Sequence, residues 1–406
     1  MSYLSEFRLN WTNLLGAGLG LAFGSAFNHY MMNLFGPALI AEFGWSKAQF
    51  ALIGAIGIVG MVCTPIAGRI NDVLGPRTAA AIGLSVIPIG FLALSFMTGN
   101  IYQFYAIIAI KSAIGIIAAT MAMTRVVVER FDKARGIALA CLLSCPPLVG
   151  TIFAPIIAWM IEAEGWRNAY RFMALVSAMG GISAVLLIGK YVDAKGTLRA
   201  KAPKLDWAQF VEFCRNPTFV LLMFGMFLVN FPQPIVSSQM SIMLIENGAT
   251  RAYAAAMLSV YTSTVIVGRF IGGYALDRVP PHVVAIVSLG LPAIGFAMLA
   301  LPFDARWLMA VAMACVGLAQ GAETDVAAVL TSRRFGLGHY SFVFSLLMTA
   351  MGLASSVGSV VLSLTLRGGG NFNLFLIICA VATIAGALCF FATGRFHRGE
   401  AAVAAR

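Results

Sequence analysis

Long apolar blocks separated by short polar segments run through almost the whole chain. Each block is about as long as the roughly 20 apolar residues that an α-helix needs to cross a bilayer. The blocks lack the ten-residue alternation of a membrane β-barrel, so helices are the expected way to satisfy the backbone polar groups. The pattern predicts an all-α membrane protein with twelve spans, at residues 11–35, 47–70, 79–98, 101–124, 136–160, 168–189, 218–244, 252–275, 281–302, 306–329, 340–366 and 373–393.

One hydrophilic stretch, residues 190–215, divides these spans into six and six, and the two halves share landmarks. The matching segments are Gly68-Arg-Ile-Asn-Asp72 with Gly273-Tyr-Ala-Leu-Asp277, and Arg130-Phe131 with Arg334-Phe335. Repetition at half the chain length indicates duplication. We expect two pseudo-symmetric six-helix bundles, residues 1–190 and 217–406, joined by a cytoplasmic linker at 191–216.

Composition supports a membrane protein and excludes a nucleic-acid partner. Hydrophobic residues make up 60% of the chain and charged residues 11%, against roughly 45–50% and 25% in soluble domains. The net charge is +11, but most of the 27 Lys and Arg residues fall on the side that carries both termini. The positive-inside rule therefore places both termini in the cytoplasm, and we expect a multi-pass protein of the inner (plasma) membrane. The 7 cysteines have no metal-ligand spacing, so neither zinc nor disulfides are expected.

Several motifs carry a resemblance to a known family. Gly68-x-x-x-Asp72-x-x-Gly75-x-Arg77 resembles the loop signature of the major facilitator superfamily, and the likeness extends over the whole chain. Lys111-x-x-x-Gly115 resembles the fourth-helix motif of the same superfamily. Three further segments resemble its bacterial monocarboxylate-transporter-like and oxalate/formate exchanger-like branch: Arg130-Phe-Asp-Lys-Ala-Arg135-Gly-Ile-Ala138, Gly165-Trp-Arg-Asn-Ala-Tyr170 and Gly321-Ala-Glu-Thr-Asp325.

The resemblance implies a secondary transporter that works by alternating access, with proton-coupled transport of a small organic monocarboxylate as the expected function. Protons are then the coupling ion, no other cofactor is expected, and the chain is expected to act as a monomer. A multidrug exporter of the same fold and an anion exchanger remain alternatives. The sequence shows no nucleophile–base arrangement, so an enzyme is not expected. It shows no phosphate-binding loop, so transport driven by ATP is not expected either.

The repeated motif predicts a cytoplasmic gate. Gly68 and Gly273 would allow helices to approach closely, as small residues do in membranes. Asp72 and Asp277 would cap the starts of neighbouring helices, near Gly338 and Arg135, where the helix dipole offers about half a positive charge. The other residues assigned to this gate are Gly75, Arg77, Arg130, Arg135 and Arg278. The alternative is a plain tight turn with a solvated aspartate.

Arg269 is the strongest candidate for substrate binding. It precedes Asp277 by eight residues, which places it about 12 Å from the cytoplasmic end of its helix. Its repeat-equivalent position holds Thr64, so Arg269 is not part of the shared motif. A guanidinium binds a carboxylate through two hydrogen bonds and stays charged, and in the resembled branch an eighth-helix Arg followed by Gly, like Arg269-x-x-x-Gly273, is implicated in substrate binding. The alternative is an ion pair with Glu323 or Asp325.

Other polar residues within the predicted spans are further candidates. His29 lies where the resembled branch often has a proton-linked Lys, and imidazole titrates near pH 6.5; a packed histidine is the alternative. Asn28 and Tyr30 could supply hydrogen bonds, and Lys111 stands where an Arg is usual. Asn230 begins a Pro-containing break in the seventh span, which is expected to free backbone groups.

Two acidic residues of the tenth span are candidates for proton coupling. Glu323 and Asp325 are two positions apart on a helix, so they point in nearly opposite directions. At most one of them is expected to face a cavity and carry a proton. The alternative is that they neutralise Arg269, Lys111 or Arg125.

Overall fold

The structure is a computed structural model that describes residues 3–118, 120–131, 134–188, 215–301, 306–367 and 370–404. Every regular element in these ranges is helical, which confirms the predicted all-α class. In chain order the helices are α1 (Tyr3–Phe23), α2 (Ser25–Phe43), α3 (Lys47–Ala51), α4 (Ile53–Ser95), α5 (Ile101–Gly115), α6 (Thr120–Arg130), α7 (Arg135–Ala163), α8 (Trp166–Leu187), α9 (Pro217–Asn230), α10 (Met240–Glu246), α11 (Arg251–Arg278), α12 (Pro281–Ala300), α13 (Arg306–Thr365) and α14 (Asn373–Ala404).

Eleven helical stretches in the described ranges are long and apolar enough to cross a membrane. They begin at Lys47, Arg77, Ile101, Gly136, Trp166, Pro217, Arg251, Pro281, Trp307, Val343 and Asn373, and each matches a predicted span. The first predicted span, 11–35, is divided between α1 and α2, which meet at the non-helical Gly24. The break and the asparagines of this segment explain why neither helix alone forms an equally apolar stretch.

Local chemistry fixes several helix boundaries. Ser46 and Gln49 form a reciprocal capping box at the start of α3, an arrangement that satisfies two free backbone N–H groups. Asn216 caps α9, where its side chain accepts a hydrogen bond from the Thr218 N–H at 2.9 Å, and Pro217 occupies the first helical position. Proline suits that position because its missing N–H would have had no partner there.

The seventh predicted span is interrupted at the expected place. Helix α9 ends at Asn230, and a π-helical turn, Ile235–Gln239, precedes α10. Asn33 satisfies two backbone groups of this irregular segment: its amide donates to the Val236 carbonyl at 2.6 Å, and its side-chain oxygen accepts from the Met240 N–H at 2.9 Å. Irregular backbone inside a membrane needs such partners.

The repeated motif lies at a sharp turn in the first half of the chain. Gly75 interrupts α4 with φ 77° and ψ 161°, a conformation that favours glycine. The turn separates the second span from the third. The motif therefore needs a glycine at residue 75, because other residues rarely adopt this backbone conformation.

The tenth and eleventh predicted spans lie within one helical run, α13. The side chains around Gly338 lie outside the described residues, so the capping predicted at this point stays a prediction. A helix does begin at Arg135, as expected.

Packing divides the chain into two compact units. Unit 1 comprises Met1–Tyr191, Pro234–Ser263 and Leu362–Gly370, and unit 2 comprises Val192–Gln233, Thr264–Val361 and Asn371–Arg406. The predicted boundaries 1–190, 191–216 and 217–406 follow the sequence repeat and stay a prediction. Residues 191–214 of the predicted linker lie outside the described residues.

Candidate functional site

A close helix crossing in unit 2 supports the strongest candidate residue, Arg269. A Cβ added to Gly321 on α13 would collide with the Val265 carbonyl and lie 2.6 Å from the Arg269 backbone nitrogen. A Cβ on Gly268 of α11 would likewise collide with the Leu318 carbonyl. The absence of side chains at these two glycines lets the backbones of α11 and α13 touch next to Arg269.

The expected close approach at Gly273 is wrong. A Cβ added to Gly273 would meet nothing within 4 Å, whereas one on its neighbour Gly272 would lie 2.7 Å from the Ala322 Cβ. Successive helical residues differ by about 100° in direction. Gly268 and Gly272 therefore share the face that meets α13, and Gly273 does not.

This difference predicts that Gly321→Ala destabilises the protein while Gly273→Ala does not. The methyl group at residue 321 must displace backbone atoms of α11, and overpacking of this kind costs about 1–3 kcal/mol. At residue 273 the methyl group has open space and alanine favours a helix. Apparent melting temperatures in detergent should fall for Gly321→Ala and stay level or rise for Gly273→Ala; equal values for the two variants would refute the crossing.

Arg269 lies within the membrane and is only partly neutralised. Its guanidinium Nη1 lies 3.4 Å from Oδ1 of Asp325, and the side chains are 11% and 31% exposed. Its Nε is buried and has no hydrogen-bond partner among the described residues. Of the two acidic residues considered for this pair, the structure brings Asp325 to the arginine. Arg269 thus keeps hydrogen-bonding capacity for a further acceptor.

Glu323 occupies a separate polar cluster in unit 2. Its side chain is 3% exposed and accepts hydrogen bonds from the amides of Asn230 and Gln320, the latter at 2.9 Å. Asn230 also donates to the Met226 carbonyl at 2.9 Å. Glu323 and Asp325 thus have different partners, in agreement with their predicted opposite directions. Asn230, assigned from the sequence to substrate binding, contacts Glu323 here.

Unit 1 contains a second buried cation, Lys111. Its side chain is 3% exposed; Nζ donates to the Asn28 side-chain oxygen at 2.6 Å and lies 4.0 Å from the centre of the Phe91 ring. Gly90 leaves room for the lysine, because an added Cβ would lie 2.7 Å from the Lys111 Cδ. A carbonyl dipole and an aromatic face stabilise the ammonium, and none of the described carboxylates pairs with it.

His29 and Tyr30 belong to a different part of unit 1. Their rings make an edge contact with centroids 5.2 Å apart, and no recorded bond joins His29 to a carboxylate of the described ranges. Tyr30 lies beside Gly150 of α7. The next residue, Thr151, bonds the Thr262 hydroxyl at 2.8 Å. The sequence candidates Asn28 and Lys111 come together, whereas His29 does not join them.

The structure describes the side chains of some of the predicted gate residues, including Arg77 and Arg278. Arg77 donates from Nε to the Val185 carbonyl at 3.0 Å, and the Arg278 guanidinium lies 3.7 Å from the centre of the Tyr274 ring. The side chains of Asp72, Arg135 and Asp277 lie outside the described residues. The predicted capping and ion pairs of these three residues stay predictions.

Sequence reasoning missed Glu6, which is buried near the Arg130 segment. Its Oε2 accepts a hydrogen bond from the Ala134 N–H at 3.0 Å, just before α7. Asn10, one turn later, donates to the Arg130 carbonyl at 3.0 Å. Glu6, Asn10 and Asn13 lie on one face of α1 and all are buried. In the sequence, this polar stripe just before an apolar block was the signal that could have identified Glu6.

Glu42, at the end of α2 and outside the membrane-spanning stretches, accepts hydrogen bonds from Trp166 and Arg167. The Trp166 indole N–H, supported by Arg167, holds the pKa of Glu42 below its ordinary value of 4.5, against a smaller opposing effect of burial. The carboxylate links α2 to the start of α8, within the segment Gly165-Trp-Arg-Asn-Ala-Tyr170.

We predict a pH-dependent contribution of Glu42 to stability. Because its folded-state pKa is lowered, the contribution is complete above about pH 4.5 and disappears as the pH falls through the folded value. Glu42→Gln should lower the melting temperature at pH 7, by an amount that corresponds to no more than about 1 kcal/mol of stability for such an exposed pair. The difference from the wild type should shrink as the pH falls below 4.5. Glu164→Gln, at an exposed carboxylate directly after α7, is the control; a difference that persists in acid would contradict the prediction.

Comparison with known proteins identifies the family. The family description "Major Facilitator Superfamily" matches residues 19–243 and 222–404. The chain belongs to the major facilitator superfamily. The resemblance stated from the motifs is thereby confirmed, and the chain is a multi-pass membrane transporter with a non-enzymatic role.

Relatives within the superfamily differ in what they transport. Monocarboxylate transporter 13 of Rattus norvegicus is 25% identical over 350 residues, which cover 86% of this chain and 80% of that protein. The Fujikurins efflux protein of Gibberella fujikuroi is 25% identical over 260 residues, covering 62% of this chain and 53% of that protein. The relatives of this superfamily member thus include a protein named for monocarboxylate transport and a protein named for efflux.

Solved structures confirm the major facilitator fold. A nucleoside transporter superposes with a TM-score of 0.76 at 13% identity, covering 95% of this chain and 99% of that chain. A D-xylose–proton symporter superposes with a TM-score of 0.71 at 15% identity, covering 96% and 98%. At these identities the likeness shows the fold alone.

Proposed function

We propose that the chain is a proton-coupled carrier of a small organic monocarboxylate. The observation that carries this proposal is Arg269, a largely buried cation with a long contact to Asp325 and a buried Nε that has no partner among the described residues. A buried donor without a partner costs about 1–3 kcal/mol, which a carboxylate ligand would recover. The likeness to the rat monocarboxylate transporter supports the same substrate class.

When the substrate binds, its carboxylate would replace the Asp325 carboxylate on the Arg269 guanidinium. The substrate carboxylate takes two hydrogen bonds from the Arg269 guanidinium, in the bidentate arrangement that this group favours. Asp325, whose contact with Nη1 is 3.4 Å long, is released. A carboxylate left in the membrane interior without a cation is costly unless it takes up a proton.

Proton uptake by Asp325 would couple the transport of the substrate to the transport of a proton. One anion and one proton enter the carrier together, so the occupied state has the same net charge as the empty state. Glu323 is the second candidate for this role, because its neighbours Asn230 and Gln320 are neutral amides. An amide can donate to a carboxylate or accept from a carboxylic acid, so that site tolerates both forms.

The remaining assignments belong to the same proposal. The carrier resides in the inner membrane as a monomer, with both termini in the cytoplasm and with protons as its coupling ion. Lys111, Asn28, His29 and Tyr30 in unit 1 are proposed to contribute to binding. Reporter fusions at the two termini test the orientation, since both should give cytoplasmic signals.

A ligand screen by thermal shift tests the substrate class. Short monocarboxylates should raise the melting temperature of the purified protein, and more strongly at pH 5.5 than at pH 7.5, because binding takes up a proton. Sugars, dicarboxylates and hydrophobic cations are the comparison set. Stabilisation by hydrophobic cations and none by monocarboxylates would overturn the proposal.

Export of hydrophobic compounds is the second candidate function. It is favoured by the similarity to fungal proteins named for efflux, from Gibberella fujikuroi and Paecilomyces divaricatus. Expression in a drug-sensitive host distinguishes the two functions. An exporter would raise resistance to hydrophobic cations, whereas the proposed carrier would not.

A further inference from the structure

An apolar groove runs along unit 1 between α4 and α8. It has a volume of about 390 Å³ and is lined by Ala81, Leu84 and Pro88 from α4 and by Gly181, Ile182 and Val185 from α8. The polar residue at its edge, Ser85, already donates its hydroxyl hydrogen to the Ile82 carbonyl at 2.8 Å. The groove therefore suits a hydrocarbon and offers little to a polar solute.

The groove faces outward within the membrane-spanning stretches. Ile82 and Ile89 of α4, with Ile182 and Leu186 of α8, are exposed apolar side chains beside it. Both flanking helices have membrane-spanning stretches here, Arg77–Ser95 and Trp166–Leu187. Lipid acyl chains are the apolar molecules that surround such a surface.

A cation lies at one end of the groove. Arg77 begins this part of α4 and donates from Nε to the carbonyl of Val185, a groove residue. This bond fixes the guanidinium at the end of α8, and its two terminal amino groups form no hydrogen bond or ion pair with the described side chains. They are suited to a phosphate, which a guanidinium binds with two hydrogen bonds.

The distance from Arg77 to the far end of the groove matches one leaflet. From Arg77 to Pro88 the helix advances eleven residues, about 16 Å at 1.5 Å per residue. The hydrocarbon core of a bilayer is about 30 Å thick, so one leaflet contributes about 15 Å. An acyl chain that enters beside Arg77 would reach the middle of the bilayer at Pro88.

We propose that this groove is a binding site for an anionic phospholipid. The phosphate contacts Arg77, and one acyl chain lies between α4 and α8. On the orientation predicted from the charge distribution, the Arg77 end faces the cytoplasm, so the lipid belongs to the inner leaflet. The site would couple the anionic lipid content of the membrane to the Gly75 turn, two residues from Arg77.

Native mass spectrometry of the purified protein with phosphatidylglycerol or phosphatidylcholine tests this proposal. The wild type should retain phosphatidylglycerol at least tenfold more strongly than phosphatidylcholine. Arg77→Gln removes the phosphate contact, and Ser85→Phe fills the groove from an exposed position while keeping Arg77. Both variants should lose the preference for phosphatidylglycerol.

Two matched variants and one competitor complete the test. Arg69→Gln removes an exposed arginine before the same turn, and Ser345→Phe adds a ring at an exposed serine of α13 in unit 2; both should bind as the wild type does. Equal retention of the two lipids, unchanged binding by Ser85→Phe, or displacement by glycerol 3-phosphate at the lipid's own concentration would each overturn the proposal. The last result would mean that the headgroup alone is recognised.

Discussion

Replacing Arg269 with glutamine is expected to abolish uptake of monocarboxylates into proteoliposomes. The substitution keeps much of the side chain's size and some of its hydrogen bonds, but it removes the charge. Hydrogen bonds to charged groups contribute about 1.5–3 kcal/mol each, and two of them lost to one carboxylate predict a fall in transport of about 100-fold or more. Initial rates with a labelled monocarboxylate at pH 6 measure the effect.

Arg251→Gln provides the matched control for Arg269. It removes the same charge from the same helix, at an exposed position at the start of α11, and it should transport as the wild type does. Arg269→Lys keeps the charge but not the paired donors, and it should retain partial activity. Wild-type rates in Arg269→Gln would refute the anion site, provided that its melting temperature is unchanged.

Replacing Asp325 with asparagine is expected to separate substrate binding from proton coupling. Asparagine cannot be protonated and no longer neutralises Arg269, so the substrate should bind at pH 7.5 as tightly as at pH 5.5. Uphill accumulation driven by a pH gradient should be lost, whereas exchange of internal for external substrate should continue. The measurements are binding at the two pH values and counterflow in proteoliposomes.

Glu323→Gln distinguishes between the two carboxylates. Glutamine can still interact with Asn230 and Gln320, so this variant should keep its pH dependence if Asp325 carries the proton. Loss of pH dependence in Glu323→Gln, together with its retention in Asp325→Asn, would contradict the exchange of carboxylates on Arg269. The proton would then belong to the amide cluster.

The pattern of apolar blocks was sufficient to predict the helices, since the bilayer determines how long and how apolar a membrane-spanning helix must be. It also predicted that Glu323 and Asp325 would point in nearly opposite directions, because two positions on a helix differ by about 200°. The break after Asn230 followed from its prolines. These features depend on one helix at a time.

Features that depend on two helices were harder to predict. Gly273 was assigned a close approach that Gly268 and Gly272 make instead, because the sequence does not show which face meets the neighbouring helix. The contact of Glu6 with the Ala134 N–H joins residues more than a hundred positions apart. The bond from Arg77 to Val185 likewise depends on tertiary packing. The sequence allowed the motif residues of each half to be recognised, but it did not show which residues on other helices they contact.

The most direct test of the central claim is uptake of a labelled monocarboxylate into proteoliposomes at fixed external pH, with the interior either equal in pH or more alkaline. Undissociated acid also crosses lipid by itself, so liposomes containing Arg269→Gln supply the baseline. An alkaline interior should drive accumulation above this baseline, and a protonophore should abolish that accumulation. Accumulation that ignores the gradient, or that equals the Arg269→Gln baseline, would contradict it.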